Sequence, residues 1–275
     1  MTAFLNTYKP TDAERPQEDL RLETPPEEYD FNYVFEVKTL RSDRVELRPY
    51  VRFEPSSHAL SLWEGVQVNP EILRWLGTKP WRNLNDVLVW SETTCRAPSD
   101  SLFYAIFTDK PGSDTGPTDA KDYVFAGVIG MIASSQRDLM SEPGWILIMK
   151  PFQSVDRQGL ITQRTHVLTH AAGLVMRRIL DMPEQGGLGL RRCQWKTTSL
   201  NLPSQNAAKR LGYTPEGVLR AAQVLDLGKE GIRPGRKGDA QEEGMSRDNW
   251  YASVIWEEWQ AGVREHVDEL MARRP

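Results

Sequence analysis

PFQSVDRQGLITQRTHVLTHAAGLVMRRIL, Pro151 to Leu180, decides how the rest of the chain is read. Its second half is a long helix, because Val167, Ala171, Leu174, Val175 and Ile179 recur at spacings of three and four and make one apolar stripe. Just before it stands WILIMK, Trp145 to Lys150, a short apolar run of strand character, and after it CQWKTTS, Cys193 to Ser199, reads as another strand. Strand, long helix, strand is a crossover, so these two strands are expected to be parallel neighbours. The helix has two candidate openings, one at Gln158-Gly159 and one at Gln163-Arg164. A helix opening presents unpaired N–H groups and a partial positive charge, so a small anion suits either.

Working outward, FEVKTL and RVELRPYV alternate like strands around Arg41-Ser42-Asp43. SSHALSLWEGV and NPEILRWLG read as two short helices, the second started by Asn69 with Pro70 at its first position and stopped by Gly77. LNDVLVWSETT predicts a further helix. FYAIFTD and YVFAGVIGMIAS predict strands joined by the loop PGSDTGPTDAKD. Beyond the crossover come a short helix, PSQNAAKRLG, a strand, GVLRAAQVLDL, the loop GKEGIRPGRKGDAQEEGMS, and a last strand, WYASVIW. A closing helix carries Trp259, Val263, Val267, Leu270 and Met271 on one face. The order implies a mixed, strongly twisted α/β sheet flanked by helices, in one domain over residues 33–275. Residues 1–32 are charged and poor in β-branched side chains, which predicts an acidic, extended or disordered arm.

The whole-chain numbers narrow the function classes. With 275 residues, 39% of them apolar, and nine Trp, the chain can bury a large core. A net charge of −4 and a pI near 5.7 argue against a general nucleic-acid binder, which carries a basic face. Two cysteines, Cys95 and Cys193, fit neither a disulfide framework nor a zinc site and point to a reduced, cytoplasmic setting. No apolar run approaches the ~20 residues of a membrane helix, and the first 30 residues lack the layout of a secretion signal. Of the four histidines, only His166 and His170 have a ligand-like spacing; a polar stripe on the long helix is the favoured reading, and no metal is expected.

LGLRRCQWKTTSLNLPSQNAAKRLGYTPEGVLR, starting at Leu188, resembles a segment of the GNAT-superfamily N-acetyltransferases of the RimJ/RimL-like branch. The residues that carry the likeness are Asn201 and Ser204, Leu211-Gly212-Tyr213, and Glu216-Gly217-Val218-Leu219-Arg220. SRDNWYASVIWEEW resembles the family's final strand, with Arg247, Asp248, Tyr251 and Trp259 in matching places, and the likeness extends over residues 35–260. EQGGLGLRR and RTHV are most similar to fungal members.

The resemblance implies the GNAT fold and an acyl-CoA-dependent N-acyltransferase, most simply an enzyme moving acetyl from acetyl-CoA to a primary amine. The acceptor it implies is a protein N-terminus or a small molecule, with neither nucleic acid nor membrane as a partner, in a monomer or homodimer. Ile148, Met149 and Lys150 would lie along the pantetheine, and Arg164, Thr165, His166, Val167, Leu168 and Thr169 would open the helix on the pyrophosphate. Asn201 would bind the cofactor arm, with Ser204 near the sulfur as the residue stabilising the leaving thiolate. From the residues alone, Asn201 and Ser204 are helix-capping types, Tyr213 is a core aromatic, and Glu216 is a structural carboxylate. Trp63, Trp75 and Trp81 are core residues with a pocket-lining alternative, and the acceptor pocket is expected near Arg233, Arg236 and Lys237.

Three departures bear on mechanism. His166 and Leu168 stand where the family's phosphate loop has small residues. Ala208 stands where many members carry a Tyr acid, and Gln223 stands where some carry a carboxylate. No general base is identified, and a non-catalytic acyl-CoA binder is the alternative on the same fold. In the fungal members Phe-Gln runs directly into Arg-Thr-His-Val, whereas here Ser154 to Gln163 intervenes. The second opening, Arg164 to Leu168, is favoured because its spacing to Leu188-Gly189-Leu190-Arg191 fits the family, which makes 154–163 an insert; Gln158-Gly159 is the rival.

Overall fold

The computed structural model describes residues 20–21, 23–51, 57–110, 123–155, 161–162 and 166–274. The strands β1 (Leu40–Arg41), β2 (Val45–Pro49), β3 (Leu102–Thr108), β4 (Val124–Ser135) and β5 (Met140–Ile148) lie side by side, each antiparallel to the next. A small hairpin follows, β6 (Ser154–Val155) against β7 (Ile161–Thr162). The crossover helix then leads to β8 (Arg192–Thr198), which pairs parallel with β5 as the strand–helix–strand reading requires. β9 (Thr214–Val224) and β10 (Ser246–Ile255) complete an eight-stranded sheet in the order β1-β2-β3-β4-β5-β8-β10-β9.

Helices cover both faces. On one lie α1 (His58–Val68) and α2 (Leu84–Trp90); on the other lies α3 (His166–Leu180), which crosses strands of both halves of the sheet. Val167, Leu168, Ala171, Ala172, Val175, Met176 and Ile179 of α3 are all at 0% exposure. The periodic stripe thus understates how deep the helix runs. After β8 comes α4 (Leu202–Arg210), and after β10 come α5 (Trp256–Glu258) and α6 (Arg264–Ala272), with Trp259 buried between the last two. α6 packs on the outer side of α3 at Gly173, where a Cβ would fall 2.6 Å from Met271 Sδ and 3.0 Å from Val267 Cγ1, so a larger residue there would displace the Met271 side chain. Buried polar groups on and beside α3 find partners, except His170 Nε2, which has none among the described residues. Arg178 donates to the carbonyls of Gly186 and Glu36 at 2.9 and 2.8 Å, and Asp181, just past the helix end, accepts from Trp259 Nε1 at 2.9 Å and Arg264 Nε at 2.8 Å. The apolar side chains of both faces form one buried cluster.

Several elements differ from the sequence reading. FEVKTL enters the ladder only as Leu40–Arg41, because Ser99 O takes the Val34 N–H at 2.9 Å and Arg178 takes the Glu36 carbonyl. NPEILRWLG yields one tight turn, Pro70–Leu73, and then turns away. β5 starts at Met140, five residues before Trp145, although Glu142-Pro143-Gly144 reads like a turn. The loop 111–122 and most of the acidic arm lie outside the described residues; of the arm, Phe31 packs against the core and Asn32 Nδ2 donates to Ala97 O at 2.8 Å. Both cysteines are buried and unpaired. No helix among the described residues is long and apolar enough to cross a membrane.

Burial holds three histidines neutral: desolvation lowers His58, His166 and His170 from 6.5 to about 4. His58 Nδ1 accepts the Val51 N–H at 3.0 Å, a bond that protonation removes. The unfolded chain therefore binds protons between pH 6.5 and about 4 that the folded chain refuses. The histidine contribution to stability is full above that window and lost as pH falls through it. Urea unfolding at a series of pH values should show stability dropping already between about pH 6.5 and 5, above the ordinary carboxylate range. His58→Gln should flatten part of that slope, and a pH-independent stability across the window would contradict the assignment.

Candidate functional site

β5 and β8 share only two ladder pairs, Met140 with Arg192 and Ser141 with Cys193, and beyond them the strands separate. Irregularities in β4 and β5 bend the sheet at this point. Ala133 and Ser134 oppose the single residue Ser141, and Trp145 and Ile146 oppose Ile129. Ala133 and Trp145 take positive φ, 48° and 50°. A bulky residue in that region is strained by about 1–3 kcal/mol and persists only where surroundings enforce it. Here the Trp145 ring is held 5.6 Å from Trp90 and 6.5 Å from Phe103. Bulges re-aim side chains and end pairing. These two bracket Glu142-Pro143-Gly144 and leave the β8-facing edge of β5 open.

The opening is a cleft of about 290 Å³. Glu142 to Ile146 form one wall and Trp195, Lys196 and Thr197 the other; Asn201 and Ser204 close one end, and Trp75, Leu76, Gly77, Gln223 and Arg247 frame the mouth. Asn201 caps α4, accepting the Ser204 N–H through Oδ1 at 3.2 Å. Its Nδ2 has no partner among the described residues, so capping leaves a donor for a ligand. Trp195 Nε1 donates to Ser204 Oγ at 3.0 Å. An indole N–H can only donate, so Ser204 accepts there and its own O–H is left to donate.

Glu142 is the residue that the sequence reading missed. It is 1% exposed and sits one position past the last β5–β8 pair. Gln194 Nε2 donates to Glu142 Oε2 at 2.7 Å, and Lys196 Nζ stands 3.9 Å from Oε1. Burial pushes the Glu142 carboxyl above the usual range and outweighs the opposing pull of Lys196, Gln194 and Arg247. A carboxylate with raised proton affinity that lines a cleft is suited to take a proton from a ligand.

The other expected residues fall as follows. Ile148 and Met149 are buried at the end of β5, and Lys150 is exposed. The Met149 main chain is engaged, its N–H with Ala126 O at 2.8 Å and its C=O with Phe152 N at 2.9 Å, so the cleft wall lies earlier on the strand, at 142–146. Arg164 and Thr165 lie outside the described residues, as do Gln163 and Gln158-Gly159. α3 begins, among the described residues, at His166, whose Nε2 meets Thr108 Oγ1 at 3.1 Å; Val167, Leu168 and Thr169 are buried. The hairpin brings Ser154 opposite Thr162, so the chain leaves and returns at one place ahead of α3.

Ala208 is fully buried and no part of the cleft wall. Tyr213 is a core residue with its hydroxyl 3.0 Å from Cys193 Sγ, and Glu216 is held by Arg192 with two bonds of 2.6 Å. Of Trp63, Trp75 and Trp81, Trp75 lines the cleft, beside Trp145 and Trp195. Arg233, Arg236 and Lys237 do not: Arg233 is bound by Asp248 at 2.6 and 2.7 Å, and Arg247 occupies the place expected of them. No group of three or more potential metal ligands occurs among the described residues.

A mostly antiparallel sheet opened by one diverging parallel pair, with a long crossover helix, is the GNAT fold. Solved structures of that fold match over nearly the whole chain. A GCN5-related N-acetyltransferase from Brucella melitensis aligns with a TM-score of 0.63 and 23% identity, over 86% of this chain and 87% of its own. RimJ of Mycobacterium smegmatis in complex with CoA-disulfide aligns with a TM-score of 0.56 and 15% identity, over 86% and 95%. A RimL ribosomal L7/L12 alpha-N-protein acetyltransferase aligns with a TM-score of 0.53 and 18% identity, over 80% and 96%. No family model and no curated protein matches the sequence.

Deleting residues 154–163 should leave a folded protein that still gains thermal stability from CoA. Shortening a loop changes closure entropy only slowly, and ligand at about 100 times its dissociation constant contributes roughly 2.7 kcal/mol. A folded deletion variant whose melting temperature ignores millimolar CoA would make Gln158-Gly159 the phosphate cradle instead.

Proposed function

We propose that the protein is an acyl-CoA-dependent N-acyltransferase that moves acetyl from acetyl-CoA to a primary amine by direct attack. The observation that carries this reading is Glu142, buried where the strands part and facing a cleft that also holds the Ser204 hydroxyl. The fold supports it, and so does the CoA-disulfide bound by RimJ on the same fold. The open edge of β5 offers unpaired main-chain groups to the pantetheine amides, and the start of α3 offers N–H groups and dipole charge to the pyrophosphate.

In the proposed reaction Glu142 accepts a proton from the acceptor's ammonium group. The freed amine attacks the thioester carbonyl carbon. Main-chain N–H groups on the β5 edge stabilise the oxyanion that forms. The tetrahedral intermediate then collapses: its nitrogen gives up its second proton to water, the C–S bond breaks, and the amide is released. Ser204 donates its O–H hydrogen bond to the departing thiolate, which ends as thiolate or takes a proton from water. Asn201 positions the cofactor arm through the amide that capping leaves unused. Lys196 and Gln194 favour the carboxylate form of Glu142 and offset part of the effect of its burial.

Glu142→Gln should lower kcat/KM for acetyl transfer by about 10²–10⁴-fold, the usual contribution of a positioned acid or base. Because the base acts as carboxylate, wild-type activity should rise with pH through the elevated Glu142 pKa, and the variant should lose that limb. Ser204→Ala should reduce kcat more than it weakens acetyl-CoA binding, and Asn201→Ala should do the reverse. Acetyl-CoA binding with equal turnover in wild type and Glu142→Gln would remove the carboxylate from the mechanism. Binding without turnover of any amine by the wild type would leave an acyl-CoA-binding protein.

A further inference from the structure

Charges around the cleft are matched with one exception. Arg233 binds Asp248, Arg74 binds Glu230, Arg192 binds Glu216, and Lys196 stands beside Glu142. Arg247 has no carboxylate within ion-pair distance among the described residues. It lines the mouth, where Nε donates to Asn249 Oδ1 at 2.8 Å and Nη1 reaches Trp75 O at 3.4 Å. Nη2 donates to nothing there, and a guanidinium carries five N–H donors in a fork matched to a carboxylate. The side chain is partly buried, and desolvation works against its charge. Glu142 offsets part of that cost from beyond ion-pair distance, and a cation partly removed from water with no carboxylate in contact leaves a place for an anion from outside the chain.

Resting on the acyltransferase reading, we infer that Arg247 binds an acidic group of the acceptor. The acceptor is then a small amine that also carries a carboxylate or comparable acid. Glu142 and Arg247 line the same cleft of about 290 Å³ from opposite sides of the charge balance. A small molecule that carries an amine for Glu142 and an acid a few bonds away for Arg247, as an amino acid does, suits a cleft of that size. A polypeptide N-terminus places a neutral amide at that distance and leaves Arg247 unmatched. Gln223, the partner of Arg247 across the β9–β10 ladder, adds a neutral amide to the mouth in place of a carboxylate that would repel such an acid.

The test begins with acetyl-CoA binding to the wild-type protein by calorimetry; no binding sinks the acyltransferase reading itself. With binding established, L-amino acids are compared with the amide and the decarboxylated amine of the same side chain. Two readouts are used, thermal stabilisation of the CoA-loaded protein and CoA release. The expected result is a preference of about 10- to 100-fold for at least one free amino acid over both analogues, the range of a hydrogen-bonded charged group. Arg247→Gln should erase that preference by raising KM for the acid while leaving the acid-free amine unchanged, and Arg247→Lys should keep part of it. Equal handling of acids and acid-free amines overturns the inference, as does binding of acetyl-CoA with no response to any amino acid. A loss in Arg247→Gln that falls equally on both kinds of amine would reduce Arg247 to a structural role and also overturns it.

Discussion

Two residue pairs, Met140 with Arg192 and Ser141 with Cys193, join the two halves of the sheet, and every functional feature follows from that short seam. A longer ladder would close the edge of β5; none at all would separate the halves. The seam is protected where it exists: Arg191 and Arg192 N–H groups both reach Leu139 O, and Ser134, Ser141 and Tyr33 hydroxyls are linked beside it at 2.8 Å. α3 spans the join and is buried along nearly its whole length, so hydrophobic packing does what backbone pairing does not. The bulges at Ala133 and Trp145 supply the bend, with the Trp145 strain offset by its aromatic neighbours.

The same geometry sets the electrostatics. A carboxylate one residue past the seam cannot face bulk water, and it cannot be paired by a backbone donor of β8 because the strands have parted. Gln194 and Lys196, spaced two apart on β8, reach it by side chain instead. Partial compensation of this kind leaves Glu142 with a proton affinity above that of an ordinary carboxylate, because burial outweighs the pull of Lys196 and Gln194.

Much of this was legible in the sequence. The crossover unit, the strand set, the cap at Asn201, the core role of Tyr213 and the Arg partner of Glu216 all follow from periodicity, capping chemistry and charge. Glu142 was not legible, for a physical reason. Ser141-Glu142-Pro143-Gly144 has turn composition, and only a bulged strand with an unpaired edge admits Pro and Gly there. Reading the strand from Trp145 placed the carboxylate in a loop and out of consideration. Arg247 was seen as a motif residue, but that it has no acidic partner is a property of three dimensions. The first strand, expected over FEVKTL, is shorter because its neighbours satisfy their polar groups singly, through Ser99 and Arg178, which no local pattern records.

The central claim is that the opened edge of β5 together with the start of α3 is where CoA lies. Amide hydrogen exchange with and without CoA tests it most directly, because unpaired edge amides exchange freely until a ligand engages them. Slowed exchange confined to residues 142–146 and 166–169 is the predicted result. Protection that appears elsewhere, for example on the α1 and α2 face, or no change at saturating CoA, would contradict the account.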